Sequence, residues 1–204
     1  MISKNDFNKY IEQKQYDRIQ QHKVTNAIIL AAGKSKRFKP ISDYCPKGLS
    51  IVKGEVLVER QIKQLQAVGI NDITLVVGYK KEMFFYLVDK YDVKIVVNDY
   101  YDTQDNVSSL RLVLDQLDNT YICSVDNYYP ENLFNNYEYR GFYATVYVEN
   151  NLDEWVVTTD ELGLINDVII GAPSGHIMLG FVYFDRQFSE KFKQVILDVE
   201  GIDE

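Results

Sequence analysis

The chain has 204 residues, 22 Lys+Arg against 30 Asp+Glu, and a formal net charge of −8. That length fits one α/β domain or a domain with a short extension. A hydrophobic fraction of 46%, with 16 Tyr and 10 Phe, can fill a core and excludes general disorder; no apolar run approaches the ~20 residues of a membrane span, and the acidity argues against general nucleic-acid binding.

Residues 3–21 set Phe7, Tyr10, Ile11 and Ile19 among polar residues, a weak amphipathic helix pattern. It reads as a helical extension, 1–24, packed on the body of the protein or against another chain. The same stretch lacks the apolar segment of a secretory signal. Cys45 and Cys123 are too few for a disulfide framework, so a reduced, cytoplasmic setting is expected. Ala27 to Ala32 is a continuous apolar run ending at Gly33, the pattern of a buried parallel strand. A loop rich in Lys, Ser and Pro is expected from Gly33 to Lys53. Val58 to Val68 reads as a helix with Ile62, Leu65 and Val68 on one face and Gly69 as its C-cap. Ile73–Gly78 is a second buried strand, 81–90 a helix, 93–97 a third strand, 105–117 a helix and 121–125 a fourth strand ending at Asp126.

This alternation predicts a mainly parallel, Rossmann-like α/β sheet flanked by helices. Beyond Asp126 the pattern turns to successive strands at 142–148, 155–159, 163–169 and 177–184, so the sheet should be mixed. A helix over 188–199 closes the chain. One domain is expected over 25–204.

Charge is unevenly placed. Residues 26–53 carry Lys34, Lys36, Arg37, Lys39, Lys47 and Lys53 against the single Asp43. Such a run reads either as an anion site or as a solvated loop. In open α/β sheets ligands bind at the carboxyl ends of the strands, which singles out the Gly33 loop, Gly78 and Asp126. A glycine after a strand lets backbone N–H groups approach a phosphate, and Lys and Arg add charge. Neither the P-loop nor the G-x-G-x-x-G fingerprint is present. Asp126 is either a metal-binding carboxylate or half of a turn-forming Asp-Asn pair. Trp155, the sole tryptophan, is either a core residue or, beside Asp153 and Glu154, a face for a quaternary ammonium. His22 and His176 have no base or nucleophile partner and are expected at surface or loop positions.

Leu30-Ala31-Ala32-Gly33, then Arg37, Pro40 and Pro46-Lys47 with Leu49, resembles the signature L-A-A-G-x-G-x-R-L-x-P…P-K-x-L of the sugar-phosphate nucleotidyltransferase superfamily. Ser35 stands where the family has its second glycine. Val97-Asn98-Asp99-Tyr100-Tyr101, Asn106-Val107-Ser108-Ser109-Leu110, Val125-Asp126-Asn127-Tyr128 and Asp153-Glu154-Trp155 resemble the bacterial LicC-type choline-phosphate cytidylyltransferases. The resemblance runs from about Thr25 to Phe192. It implies conversion of CTP and phosphocholine to CDP-choline and pyrophosphate, with Mg²⁺ as cofactor. Lys47 and Arg37 would be catalytic. Leu30, Ala31, Ala32, Gly33, Lys34, Ser35, Lys36, Arg37, Gly78, Asn106, Ser108 and Ser109 would bind the nucleotide. Asp126 would hold the metal, and Trp155, Glu154 and Tyr128 the choline. The family's further acidic metal ligand lies in a Tyr-Trp-Asp-like segment that has no counterpart before Glu204, so the 25–204 domain is expected to lack the family's C-terminal segment. The same fold acting on 2-aminoethylphosphonate or a sugar 1-phosphate, or a non-catalytic nucleotide-binding module, stays open as an alternative. A pathway or fusion link to a choline kinase would be chemically sensible; no membrane or nucleic-acid partner is implied.

Overall fold

The computed structural model describes residues 2–102, 106–150 and 154–199. Its centre is a parallel unit made from the most apolar runs. β1 (Asn26–Ala31) pairs in parallel with β4 (Ile73–Val77) on one side and β6 (Thr120–Ser124) on the other. β5 (Lys94–Val97) extends the sheet beyond β4. Beyond β6 the sheet turns antiparallel. β10 (Ser174–Phe184) lies against β6 and pairs with β7 (Phe142–Glu149) and with β8 (Trp155–Thr159), and β8 continues to β9 (Ile165–Ile170). The result is an eight-stranded mixed sheet, with a separate hairpin of β2 (Ile51–Val52) and β3 (Glu55–Val56).

Alternation along β1 divides the core between the two faces of the sheet. Ala27, Ile29 and Ala31 pack with Leu75, Val77, Tyr121 and Cys123 beneath Val58, Ile62 and Leu65 of helix α2 (Leu57–Ala67). Ile28, Val76, Ile122 and Val182 face the other way, onto Val113, Leu117 and Phe192. Full burial on both faces is why these strands read as unbroken apolar runs. Gly69 ends α2 as expected, with Gly69 N–H donating to Gln66 and Ile70 N–H to Leu65.

Several local expectations are revised. The 81–90 segment opens as a 3-10 turn, Lys81–Phe84, before helix α3 (Tyr86–Tyr91). The 105–117 segment is a short α4 (Asn106–Arg111) and a 3-10 turn at Leu114–Gln116. Val113 leaves helical dihedrals between them (φ −132°) and is fully buried in the second core cluster, so packing overrides helix continuity. The Gly33–Lys53 stretch is not a plain loop: it carries three 3-10 turns and the first strand of the β2–β3 hairpin. The closing helix α5 spans Arg186–Val199.

The extension forms α1 (Lys4–Glu12) and a 3-10 turn at Tyr16–His22. Phe7 and Ile19 are buried, and the extension packs on the 134–139 segment. His22 is a half-buried packing residue rather than a surface one. Its ring lies 5.3 Å from Phe7 and stacks on Tyr139 at 6.2 Å, and Nδ1 donates to the Glu138 carbonyl at 3.1 Å. His176 is exposed, on β10. Among the described residues no helix is long and apolar enough to cross a membrane.

Candidate active site

The carboxyl end of β1 meets the carboxyl end of β6 in a cleft of about 170 Å³. Leu30, Ala31, Ala32, Gly33, Ser35, Lys47, Ser109 and Asp126 line it, with Pro46, Gly48, Ser124 and Val125. Its floor is fixed by backbone bonds: Val125 N–H donates to Leu30 and Tyr79 N–H to Ala32. At Gly33 nothing lies within 4 Å of where a side chain would begin, so its backbone is open to a ligand. Gly78 stands behind this floor. A Cβ there would lie 2.7 Å from the Tyr101 side chain and 2.9 Å from the Ala32 carbonyl oxygen, so its place is set by close strand-end packing.

Ser35, the departure from the signature, adopts a left-handed conformation at φ 48° and ψ 51°. That backbone region is the one glycine enters freely and an L-residue enters at a cost. The serine keeps the turn and bears the strain. It leads into the 3-10 turn Lys36–Phe38.

Four cations of this loop, Lys34, Lys36, Arg37 and Lys47, meet carboxylates from beyond the loop. Lys47 Nζ lies 2.6 Å from Asp126 Oδ2 and 5.9 Å from the Phe38 ring centroid. Lys34 forms an ion pair with Asp102 and sits 5.6 Å from the Tyr101 ring centroid. The Lys34–Asp102 hydrogen bond raises the lysine above its usual value and holds the aspartate below its own. Lys36 reaches the same carboxylate at 4.0 Å. Arg37 extends from the loop to Glu154, Nη1 to Oε1 3.7 Å, and so links the Gly33 loop to the start of β8. Trp155 opens β8 and is 55% exposed, which rules out a core role and leaves the indole open to a ligand.

The structure thus brings Leu30–Gly33, Ser35, Lys47, Ser109 and Asp126 to one cleft, with Arg37, Glu154 and Trp155 linked to it. Tyr128 stands apart from that arrangement. Its ring is already faced by the Arg60 guanidinium at 4.9 Å and the Lys53 ammonium at 5.3 Å. Ser108 is buried and, unlike Ser109, does not line the cleft. The Asn106 side chain and Asp153 lie outside the described residues, as do residues 200–204.

Three residues were given no role by the sequence. Asn98 follows β5 and is 1% exposed; its amide donates to Ser108 Oγ and Ser109 Oγ, both at 3.0 Å, while its oxygen accepts from Tyr100 N–H at 2.9 Å. Gln61 lies on the buried face of α2 between Val58 and Leu65, a polar residue at apolar spacing, which was the available signal. Gly48 packs on Val125, where a Cβ would fall 2.3 Å from Val125 Cγ2. This contact holds the Lys47–Leu49 turn against the end of β6.

Asp126 is the cleft's carboxylate. Among the described residues no cluster of three or more His, Cys, Asp or Glu is arranged to hold a metal. A larger open hollow, about 530 Å³, is walled by Gln21 and the Arg186–Gln194 part of α5. It lies toward the amino end of β6, where Arg186 is bound to Asp118, and away from the strand ends that gather the polar groups.

Residues 27–148 match the family of MobA-like NTP transferase domains. The choline-phosphate cytidylyltransferase of Streptococcus pneumoniae is 40% identical over 170 residues, 83% of this chain and 74% of that protein. The 2-aminoethylphosphonate cytidylyltransferase of Lancefieldella rimae is 32% identical over 178 residues, 85% of this chain and 72% of that one. The solved structure of the S. pneumoniae CTP:phosphocholine cytidylyltransferase, LicC, superposes with a TM-score of 0.84 at 38% identity, covering 88% of this chain and 79% of that one. By the family match over residues 27–148 and the 40% identity over 83% of the chain, the chain belongs to the MobA-like NTP transferases, nucleotidyltransferases among which it is similar to the LicC-type cytidylyltransferases.

Proposed function

We propose that the protein is a cytidylyltransferase that joins CTP and phosphocholine into CDP-choline and releases pyrophosphate. The observation that carries this reading is the Lys47–Asp126 pair within the β1 cleft, with Arg37 of the adjoining loop paired to Glu154 beside the open Trp155. The Gly33–Ser35 backbone and Lys34 would receive the triphosphate. Ser109, braced with Ser108 by Asn98, would border the base. Lys47 would stabilise negative charge growing on the α-phosphate.

Phosphocholine supplies its own nucleophile. One phosphate oxygen of the monoester forms the new bond to the α-phosphorus, and the bond from that phosphorus to the pyrophosphate oxygen breaks. A dianion has no proton to give up, so no general base is needed, and catalysis rests on positioning and charge. Glu154 and Trp155 would hold the trimethylammonium, one by Coulomb attraction and the other through its π-face.

The donor set suits Mg²⁺. That ion keeps several waters and is bound by one or two carboxylates together with substrate phosphates rather than by an all-protein cage. A lone carboxylate at a phosphate-receiving cleft is such a donor. Bound at Asp126, Mg²⁺ would neutralise charge on the phosphate oxygens.

Pyrophosphate release from CTP, with phosphocholine or 2-aminoethylphosphonate as acceptor, tests the reading. Phosphocholine should be preferred, because a primary amine seeks hydrogen-bond acceptors whereas a quaternary ammonium seeks an aromatic face. Lys47→Ala should lower kcat by about 10²- to 10³-fold with folding intact. Wild-type turnover in that variant would overturn the assignment.

A further inference from the structure

We propose that Gln61 is a positioning residue for Asp126, fixing the carboxylate's direction from behind the cleft. The inference rests on the reading of Asp126 as the metal-binding carboxylate. Gln61 is 1% exposed, on the α2 face turned toward the sheet. Its amide nitrogen donates to the carbonyl of Ser124 at 3.0 Å and to that of Asn127 at 2.9 Å. Those two carbonyls bracket Val125 and Asp126. Both partners are acceptors, so the NH₂ end must face them, and one hydrogen serves each side of the bracket.

This placement has a cost that packing alone would not justify. The Gln61 amide oxygen is buried with no hydrogen-bond partner. A methionine of similar length would fill the same space without burying that oxygen, but would take the Gln61 bond from the Asn127 carbonyl and leave the Ser124 carbonyl with only the long 3.4 Å bond from Asn127 N–H. The polar choice is therefore explained by the turn it fastens.

The turn needs fastening because β6 ends at Ser124, so no strand pairing holds Asp126 itself. The rest of the segment is stitched down further along. Gln64 donates to the carbonyls of Tyr129 and Glu131, and Arg60 to those of Tyr129 and Pro130. Asn127 reaches across to the Leu179 carbonyl at 2.7 Å. Gln61 is the α2 side chain that acts on both sides of Asp126. Groups that orient a ligating carboxylate typically affect metal affinity 10- to 100-fold.

The test uses the full chain, with Mn²⁺ as the probe, followed by electron paramagnetic resonance in the presence of CTP. CTP binding without metal is measured separately by calorimetry. Gln61→Met should weaken Mn²⁺ binding about 10- to 100-fold and leave metal-free CTP affinity within about twofold. Gln64→Met also removes two bonds from α2 to the same segment, but farther from Asp126, and should leave Mn²⁺ affinity within about twofold. Wild-type Mn²⁺ affinity in Gln61→Met, or an equal loss in Gln64→Met, would overturn the proposal. Asp126→Asn separates the two levels: undiminished Mn²⁺ binding there defeats the metal assignment itself, whereas loss there with none in Gln61→Met defeats only the role of Gln61. If Gln61→Met does not fold, Gln61→Asn, which keeps the amide but cannot span both carbonyls, gives the same readout.

Discussion

Replacing Gly48 by alanine perturbs Lys47, the lysine proposed to act in catalysis, without touching any other group proposed to meet substrate. A Cβ at position 48 would lie 2.3 Å from Val125 Cγ2, 3.0 Å from Cγ1 and 3.2 Å from Cβ. The two Val125 methyls carry the severe part of this clash and are themselves packed against the core, so the backbone of the Lys47–Leu49 turn must retreat. Overpacking of this kind costs about 1–3 kcal/mol. The larger effect falls on catalysis, because the retreat carries Lys47 away from its station 2.6 Å from Asp126. A misplacement near 1 Å can cost about 10²-fold in rate. Steady-state pyrophosphate release should show that loss mainly in kcat, with a modest fall in Tm. Val125→Ala removes the two methyls and should restore most of the activity to Gly48→Ala, giving a strongly non-additive double-mutant cycle. Wild-type kcat in Gly48→Ala, or no rescue by Val125→Ala, would refute the reasoning.

Ser35→Gly relieves a left-handed backbone while giving the unfolded chain more freedom. The balance should favour the variant by about 0.5–1 kcal/mol, read as a rise of about 1–4 °C in Tm. Trp155→Ala should raise the KM for phosphocholine about tenfold and leave that for CTP unchanged, since a cation–π contact acts on the ammonium alone; equal changes in both would count against the indole as acceptor site. Acid stability should depend on Asp118, whose carboxylate accepts two bonds from Arg186 and is held by them below its usual value of 3.8. A depressed folded-state value means the stabilisation is complete above 3.8 and is lost as pH falls through the folded value. Asp118→Asn should therefore lower Tm at neutral pH, by about 1 kcal/mol or less in stability, and flatten the acid limb of a melting profile; a limb of unchanged slope would remove Asp118 from its cause.

The parallel half of the sheet was legible because its strands are buried on both faces and therefore continuously apolar, as Ala27–Ala32 and Ile73–Val77 are. Helix α2 was legible from its spacing. Where packing overrode local propensity, the sequence misled: nothing in Leu112-Val113 marks the break after α4. The cleft residues could be placed because they follow strand ends. Their partners could not, since Lys34 meets Asp102 and Arg37 meets Glu154 only once the sheet has folded. Tyr128 shows the same limit from the other side. A tyrosine beside Asp126 in sequence has its ring claimed by Arg60, a residue from α2. Gln61 carried a faint signal, as a polar residue on an apolar helical face, but its two acceptors lie 63 and 66 residues away.

The net charge of −8 is also resolved in space. The basic run at 26–53 does not stand as an unopposed positive patch: Lys34, Arg37 and Lys47 are each met by a carboxylate supplied from beyond residue 100. These side chains are substantially exposed, so water and salt screen the pairs and their exchange for phosphate contacts is cheap. The carboxylates released are not idle. On the proposed reading Asp126 would meet a divalent cation and Glu154 a quaternary ammonium, so these two anions, on giving up a protein cation, would gain one brought by the substrates. A triphosphate arriving alone would strand those carboxylates beside its own negative charge. The arrangement therefore favours a ligand set that carries both signs, and disfavours a simple polyanion, which the acidic remainder of the surface repels.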